Sequence, residues 1–396
     1  MIETCLTASH LAVVQGPPGT AKTTCIVELL HQIYAAAPAT RVLLVSQQNT
    51  AVDNALARFI ASAGLTGHQV RLLRIGHEDR IQPELRDHAL AACIDREYAR
   101  WLETARRQQR HQPLVIADIA RRWETLVQGL RPATTDERET PDPEVAELIL
   151  NGHPLVGATC VGLAKRRLGL DRLTFDLATI DEAGRATVPE LLIPLLRTRK
   201  AILIGDHHQL PPAVAPLLRE EKTREDLPFL DAAFLETSFF ETLYRALPDS
   251  SRAQLSEQYR MAPAIGDLVA DLFYTEAGQR RLVNGERQPD HDTSSPLVAD
   301  PLVWVDVRGR QEPGRHGKSL RNPAEARAIV RFLAQQAASA VDRGGKDVAV
   351  ITPYRAQVNC ILDELRRLDR GEGHDDASIV LGGLRVKVDT VDSFQG

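Results

Sequence analysis

The stretch VVQGPPGTAKTTC, residues 13–25, decides how the rest of this chain is read. A short β-branched run closes on Gly16, a second glycine follows at 19, and Lys22-Thr23-Thr24 opens a segment with helical spacing. Strand, glycine-rich turn and helix in that order form the context of a phosphate-binding loop. Such a turn points backbone N–H groups inward, and the helix N-terminus adds partial positive charge. The cradle runs through Gly16, Pro17, Pro18, Gly19, Thr20, Ala21, Lys22, Thr23 and Thr24. Lys22 is placed to reach the β- and γ-phosphates, and the Thr23 hydroxyl to bind Mg²⁺. ATP and Mg²⁺ are therefore the expected cofactors. The usual pattern has glycine where this chain has Ala21, a change that is harmless where the backbone keeps negative φ.

Hydrolysis needs a carboxylate pair at the end of a neighbouring buried strand. LATIDEA, 177–183, supplies it. Asp181 is the expected Mg²⁺ ligand, and Glu182 the group that orients or deprotonates the attacking water.

The 396 residues allow two or three domains. With 43% hydrophobic and 26% charged residues, the composition is that of a soluble globular protein. No apolar run approaches a membrane span, and MIETCLTASH has neither the basic start nor the apolar core of a signal peptide. The five cysteines are scattered without CxxC pairs, which points to a reducing, cytoplasmic setting. A net charge of −5 excludes a uniformly basic nucleic-acid module; any such surface must be a local groove.

Apolar runs at 11–15, 41–46, 69–76, 154–160, 173–183 and 200–206 alternate with helical segments, the pattern of a parallel α/β sheet. Ile94, Tyr98, Trp101, Leu102 and Ala105, then Ile116, Ile119, Trp123 and Leu126, fall at helical spacing on either side of Pro113. They predict an inserted helical hairpin. A polar, Pro-rich loop follows at 129–143. Further strands are expected at 301–307, 347–353 and 384–394, with helices over 322–341 and 355–369. The resulting division is residues 1–248, with a helical insertion at about 84–150, and residues 249–396.

Seven more stretches fall in a known order: LLVSQQNTAVDNAL (43–56), VGATCVGL (156–163), IDEAGRATVPE (180–190), LIGDHHQLPP (203–212), LSEQYRMAP (255–263), VAVITPYRAQV (348–358) and VDTVDSFQG (388–396). With the phosphate loop they closely resemble superfamily-1 helicases, the Upf-like branch that includes senataxin. The resemblance implies two RecA-like P-loop domains with parallel sheets, the second incomplete. It also implies ATP-driven movement on single-stranded DNA or RNA, 5′ to 3′, with hydrolysis coupled to cleft closure. Gln209 then senses the γ-phosphate, and Arg260 is an arginine finger reaching it from the second domain. Tyr259 either stacks on adenine or fills a core, and Gly396 lies near the nucleotide. Asn49, Thr50, Thr159, Thr352 and Thr390 match motifs lining the strand channel, although each threonine reads equally as a helix cap or strand residue.

Three departures stand out. Arg185 occupies a position where the family often has glutamine. The upstream adenine-reading motif is missing, and so is the last arginine motif. A fragment of a longer helicase is expected, with weak turnover of its own. Two other readings compete: an ATPase that remodels protein complexes, and a catalytically dead nucleic-acid scaffold. His207 and His208 lack partners at metal spacing and read as loop residues.

Overall fold

β-Branched and leucine-rich runs buried on both faces build the first sheet. In this computed structural model the described residues are 1–66, 70–111, 114–130, 143–164, 173–212, 238–286, 300–314, 317, 319–340, 346–368 and 379–394. Gly396 and nearly all of the 129–143 loop lie outside them. The chain divides into two units: Met1–Met261 with Gly266–Gln288, and Ala262–Ile265 with Pro289–Gly396.

The first unit's sheet holds β1 (Leu11–Gln15), β2 (Val42–Ser46), β3 (Leu72–Ile75), β4 (Leu155–Thr159), β5 (Phe175–Asp181), β6 (Thr198–Gly205) and β7 (Arg252–Gln254). Their order is β3-β4-β2-β5-β6-β1-β7, and every pairing is parallel. One direction for all strands brings their C-terminal ends to one edge. Gly16, Thr159, Asp181 and Asp206 gather there, the edge at which open α/β sheets bind ligands.

The connecting helices are α1 (Ile2–Thr7), α2 (Lys22–Ala36), α3 (Asn49–Thr66), α4 (Leu90–His111), α5 (Leu114–Leu130), α6 (Pro143–Asn151), α7 (Cys160–Leu163), α8 (Val188–Leu195), α9 (Phe239–Ala246) and α10 (Pro263–Phe273). Alternate strand residues feed two cores. Val13, Leu43, Val45 and Leu203 pack with Ile94, Tyr98 and Phe240 of α4 and α9. Val14, Leu44, Ile202 and Ile204 pack with Ile26, Leu30, Leu56 and Phe59 of α2 and α3. Four short strands complete the unit. β8 (Glu257–Gln258) pairs in parallel with β11 (Val283–Asn284), and β9 (Thr275–Glu276) is antiparallel to β10 (Gln279–Arg280).

In the second unit, β14 (Lys346–Thr352), β15 (Ile379–Leu381) and β16 (Leu384–Thr390) run in the order β14-β16-β15. They are preceded by the two-residue pair β12 (Glu312–Pro313) and β13 (Leu320–Arg321). β16 is parallel to β14 and antiparallel to β15, so this sheet is mixed rather than wholly parallel. α11 (Pro323–Ala340) and α12 (Arg355–Leu368) cover it through Val330, Leu333, Val358, Ile361 and Leu365; α13 (Val391–Phe394) follows β16.

Three expectations need correction. The boundary at 248/249 falls too early, because Arg252, Ala253 and Gln254 pair with Val13, Val14 and Gln15 of β1. A three-residue edge strand carries too little alternation to be seen in sequence. Residues 301–307 form no ladder, and Trp304 is 93% exposed; alternation marks a face, not a partner. The hairpin is present as α4 and α5, and Ile94, Tyr98, Leu102 and Ala105 are buried. Among the α5 residues whose burial is described, however, Ala120 and Val127 are buried, while Ile116, Ile119, Trp123 and Leu126 are exposed. Apolar spacing located this helix but did not say which side is covered.

Among the described residues no helix is long and apolar enough to cross a membrane. Phe59 is 2% exposed, between His31 at a centroid distance of 4.8 Å and Tyr34 at 6.0 Å. Phe59→Ala is expected to lower stability by about 3–5 kcal/mol, read as a reduced urea midpoint.

Candidate nucleotide site and strand-facing residues

β1 ends at Gln15, and the chain turns at Gly16, whose N–H donates to the Gly205 carbonyl at 2.8 Å. The Thr20 hydroxyl closes the turn on the Pro17 carbonyl at 2.7 Å. Pro18 is half-buried between them. Gly19 has φ +75°, and a Cβ there would lie 2.8 Å from Arg260 Cβ. At Gly16 a Cβ would lie 2.6 Å from Lys22 Cδ. Space favours glycine at both positions, and at Gly19 the positive φ does so as well. Lys22 Nζ donates to the Gly16 carbonyl at 2.9 Å, so the ammonium is held at the turn itself.

Ala21 is the N-cap of α2, with φ 59° and ψ 35°, in the left-handed region. The alanine is thus not harmless for the reason its sequence suggests: the backbone there adopts the conformation that glycine is used for. Alanine also has no side chain with which to cap. The first-turn N–H groups of Lys22, Thr23 and Thr24 start a 15-residue helix without a side-chain acceptor. Uncapped donors, a helix N-terminus and a lysine facing the same turn suit a phosphate chain.

Asp181 ends β5, three strands from β7, and Glu182 follows it. Asp181 is 6% exposed and accepts the Glu182 N–H at 2.9 Å. Burial and the neighbouring Glu182 push its carboxyl up to about 7, against the pull of Lys22. Glu182 itself has φ 55°, left-handed like Ala21. With the Thr23 hydroxyl, Asp181 offers the hard oxygen ligands that Mg²⁺ takes. A cation beside Asp181 would favour its charged form, so the donor set fits the ion.

Gln209 follows β6 and is fixed by a carboxylate that the sequence analysis passed over. Asp206, 2% exposed, accepts from Gln15 Nε2 at 2.6 Å, His208 N–H at 3.1 Å, Gln209 Nε2 at 2.6 Å and Tyr274 Oη at 2.6 Å. His207 Nδ1 donates to Gln15 Oε1 at 2.8 Å. The GD of LIGDHHQLPP was a visible signal for Asp206; Tyr274, 68 residues away, had none.

Arg260 belongs to the first unit and not to the second, a correction to the domain assigned to it from sequence. The Tyr259 N–H donates to the Gly19 carbonyl at 2.9 Å, which ties this segment to the phosphate loop. Beneath it the Gln258 side chain, 0% exposed, accepts from the N–H groups of Arg260 and Met261 and donates to Met261 O and Asn284 Oδ1. Arg260 and Tyr259 are exposed. A Cβ on Gly285 would lie 2.2 Å from Tyr259 Cε1, so the missing side chain at Gly285 makes room for the ring. That placement departs from the core-aromatic reading.

Among the strand-facing residues, Asn49 starts α3 and gives its amide oxygen to Arg74 Nη2 at 2.8 Å. Thr50 is exposed beside it. Thr159 caps α7, accepting the Gly162 N–H at 3.0 Å. Thr352 and Thr390 are register partners at the C-terminal ends of β14 and β16. The Thr352 hydroxyl accepts the Tyr354 N–H at 3.4 Å, and that of Thr390 lies 3.1 Å from Ser393 Oγ. Local hydrogen bonds engage all three threonine hydroxyls.

A glycine loop entering an uncapped helix, with an Asp-Glu pair on the same sheet edge, defines a P-loop nucleotide-binding protein. Comparison narrows the class. One AAA-domain family matches residues 1–216, and a second AAA-domain family matches residues 235–396. The DNA polymerase alpha-associated DNA helicase A of Schizosaccharomyces pombe is 26% identical, across 99% of this chain and 55% of its own length. The ATP-dependent helicase NAM7 of Saccharomyces cerevisiae is 29% identical, across 98% of this chain and 35% of its own. An arterivirus nonstructural protein 10 helicase, solved with DNA, is 11% identical, covering 99% of this chain and 63% of that one at a TM-score of 0.39. The chain belongs to the AAA-domain family of superfamily-1, Upf-like helicases. It spans about half, or less, of the length of these two curated relatives.

Two outcomes follow from the geometry. An alanine in the left-handed region costs about 1–2 kcal/mol, and glycine's extra freedom when unfolded offsets about 0.4–1 of that. Ala21→Gly is therefore expected to raise stability slightly in urea unfolding. The Asp181 carboxyl, raised in the folded state, holds a proton that the unfolded chain releases above its ordinary value of about 3.9. Its contribution is full below that value and is lost as pH rises to about 7. Asp181→Asn should flatten this loss. In the metal-free protein it should gain on the order of 4 kcal/mol over wild type at pH 8 and nothing at pH 4, measured by chemical unfolding.

Proposed function

We propose that this chain is the motor region of an ATP-dependent helicase or translocase that acts on single-stranded nucleic acid. One observation carries the reading: Lys22, the uncapped start of α2 and the Asp181–Glu182 pair lie together at the C-terminal edge of one parallel sheet. The relatives' names support it, since each is called a helicase.

In this proposal the N–H groups of Gly19 to Thr24 and the Lys22 ammonium bind the phosphates. Thr23 and Asp181 hold Mg²⁺, which when bound neutralises charge developing on the transferred phosphoryl group. Glu182 orients the attacking water and takes its proton. Gln209, steadied by Asp206, and Arg260, on its Gln258 support, face the γ-phosphate position. Tyr259 offers a ring face for adenine. Asn49, Thr50 and Thr159 in the first unit, with Thr352 and Thr390 in the second, contact the strand backbone through polar and N–H groups. Such contacts position a strand without reading its sequence. Turnover is coupled to closure between the units and to 5′-to-3′ movement.

Lys22→Ala is expected to abolish oligonucleotide-stimulated ATPase. Glu182→Gln is expected to keep ATP binding while turnover falls by about 10²–10⁴-fold. Phosphate release and nucleotide binding, measured side by side, check both. Either variant turning over like wild type removes the assignment, and stimulation by protein but not by oligonucleotide favours a remodelling ATPase instead.

A further inference from the structure

A charged pair lies at full depth in the first unit and takes no part in the nucleotide site. Arg74, on β3, has a side chain 0% exposed, and Asp53, on α3, one 1% exposed. Arg74 Nε donates to Asp53 Oδ1 at 2.6 Å. Nη1 donates to the Ile75 carbonyl, and Nη2 to Asn49 Oδ1 at 2.8 Å. The second oxygen of Asp53 accepts the Gln82 N–H at 3.0 Å. Gly76 leaves room for this arrangement, since a Cβ there would sit 3.3 Å from Arg74 Nη1.

Such a buried pair adds little net stability, because desolvation offsets the attraction. What it does fix is geometry. A guanidinium has donors only, so the Asn49 side chain must turn its oxygen inward. With Oδ1 engaged by Arg74, the group Asn49 has left to offer at the half-exposed start of α3 is its Nδ2, a donor. That face matches phosphate oxygens, which only accept.

We infer that Arg74 is a positioning residue for nucleic acid, holding Asn49 as a donor-only contact for a backbone phosphate. The inference rests on the proposed strand-binding role of Asn49. Asp53 fixes the guanidinium and, through Gln82, the segment after β3, so the donor direction is set before a strand arrives. An unheld asparagine is free to rotate and present its oxygen instead of its N–H groups. A phosphate contact of this kind positions a strand without reading its sequence.

Fluorescence anisotropy with a labelled oligothymidylate, beside ATPase without oligonucleotide, tests this on the 396-residue chain. Arg74→Lys keeps a cation beside Asp53 but has no second nitrogen for Asn49. It is expected to weaken binding by about tenfold, the effect of one charge-assisted hydrogen bond, with basal ATPase unchanged. Asn49→Ala should lose as much, and the double variant no more than Asn49→Ala alone. Asn49→Asp preserves a partner for Arg74 and the thermal midpoint but removes both donors, so it should bind most weakly. The charge-neutral pair Asp53→Leu with Arg74→Met should reproduce the loss if Arg74→Lys fails to fold. Wild-type affinity in whichever Arg74 variant folds, or losses that multiply in the double variant, overturns the positioning role. A silent Asn49→Ala overturns the strand-contact reading on which it stands.

Discussion

Four donors converging on the buried Asp206 carboxylate are the constraint on which the nucleotide edge depends. Gln15 comes from the strand that feeds the phosphate loop, His208 and Gln209 from the segment after β6, and Tyr274 from beyond α10. A carboxylate taken out of water needs its lone pairs filled, and here four groups from three stretches of chain fill them. Each of those stretches is thereby fixed relative to the others. Gly184 and Gly205 let β5 and β6 close up around the same point: a Cβ on Gly184 would lie 2.7 Å from the Asp206 carbonyl oxygen, and one on Gly205 2.5 Å from Gly184 N. The spacing between the Glu182 turn and the Gln209 segment is set by backbone contact, not by flexible side chains.

Strain is concentrated at the same edge. Among the described residues, three that are not glycine have positive φ: Ala21, Glu182 and Ala277. The first two end the loop and the carboxylate pair. Holding a residue there costs energy that the surrounding packing must supply, and such outliers gather where chemistry needs a fixed direction. Parallel strands buried on both faces, together with Phe59, Tyr98 and Phe240, provide that support.

The phosphate loop, Asp181, Glu182 and the strand–helix rhythm were readable because each depends on residues close in sequence. Gly16 and Lys22 are six residues apart, and the turn that joins them is local. The supports were not readable. Tyr274 and Asp206 pair across 68 residues, and Gln258 and Asn284 across 26. β7 is too short for a periodic signal, and its place beside β1 is what carries Arg260 into the first unit. Ala21 misled for another reason: residue type gives the cost of a backbone angle, not the angle itself. Asn49 was legible as a polar residue at a helix start, whereas its inward-facing oxygen depends on an arginine 25 positions away.

The imidazole beside the Asp206 cluster bears on how this sheet edge responds to protons. Burial and the adjacent His208 hold the His207 ring below the ordinary histidine range, and its Nδ1 proton is committed to Gln15. Both effects oppose protonation of the ring and favour the Nδ1–H donor to Gln15. At the same sheet edge, burial and Glu182 push the Asp181 carboxyl up to about 7. One edge therefore carries an imidazole biased against gaining a proton and a carboxyl biased toward keeping one.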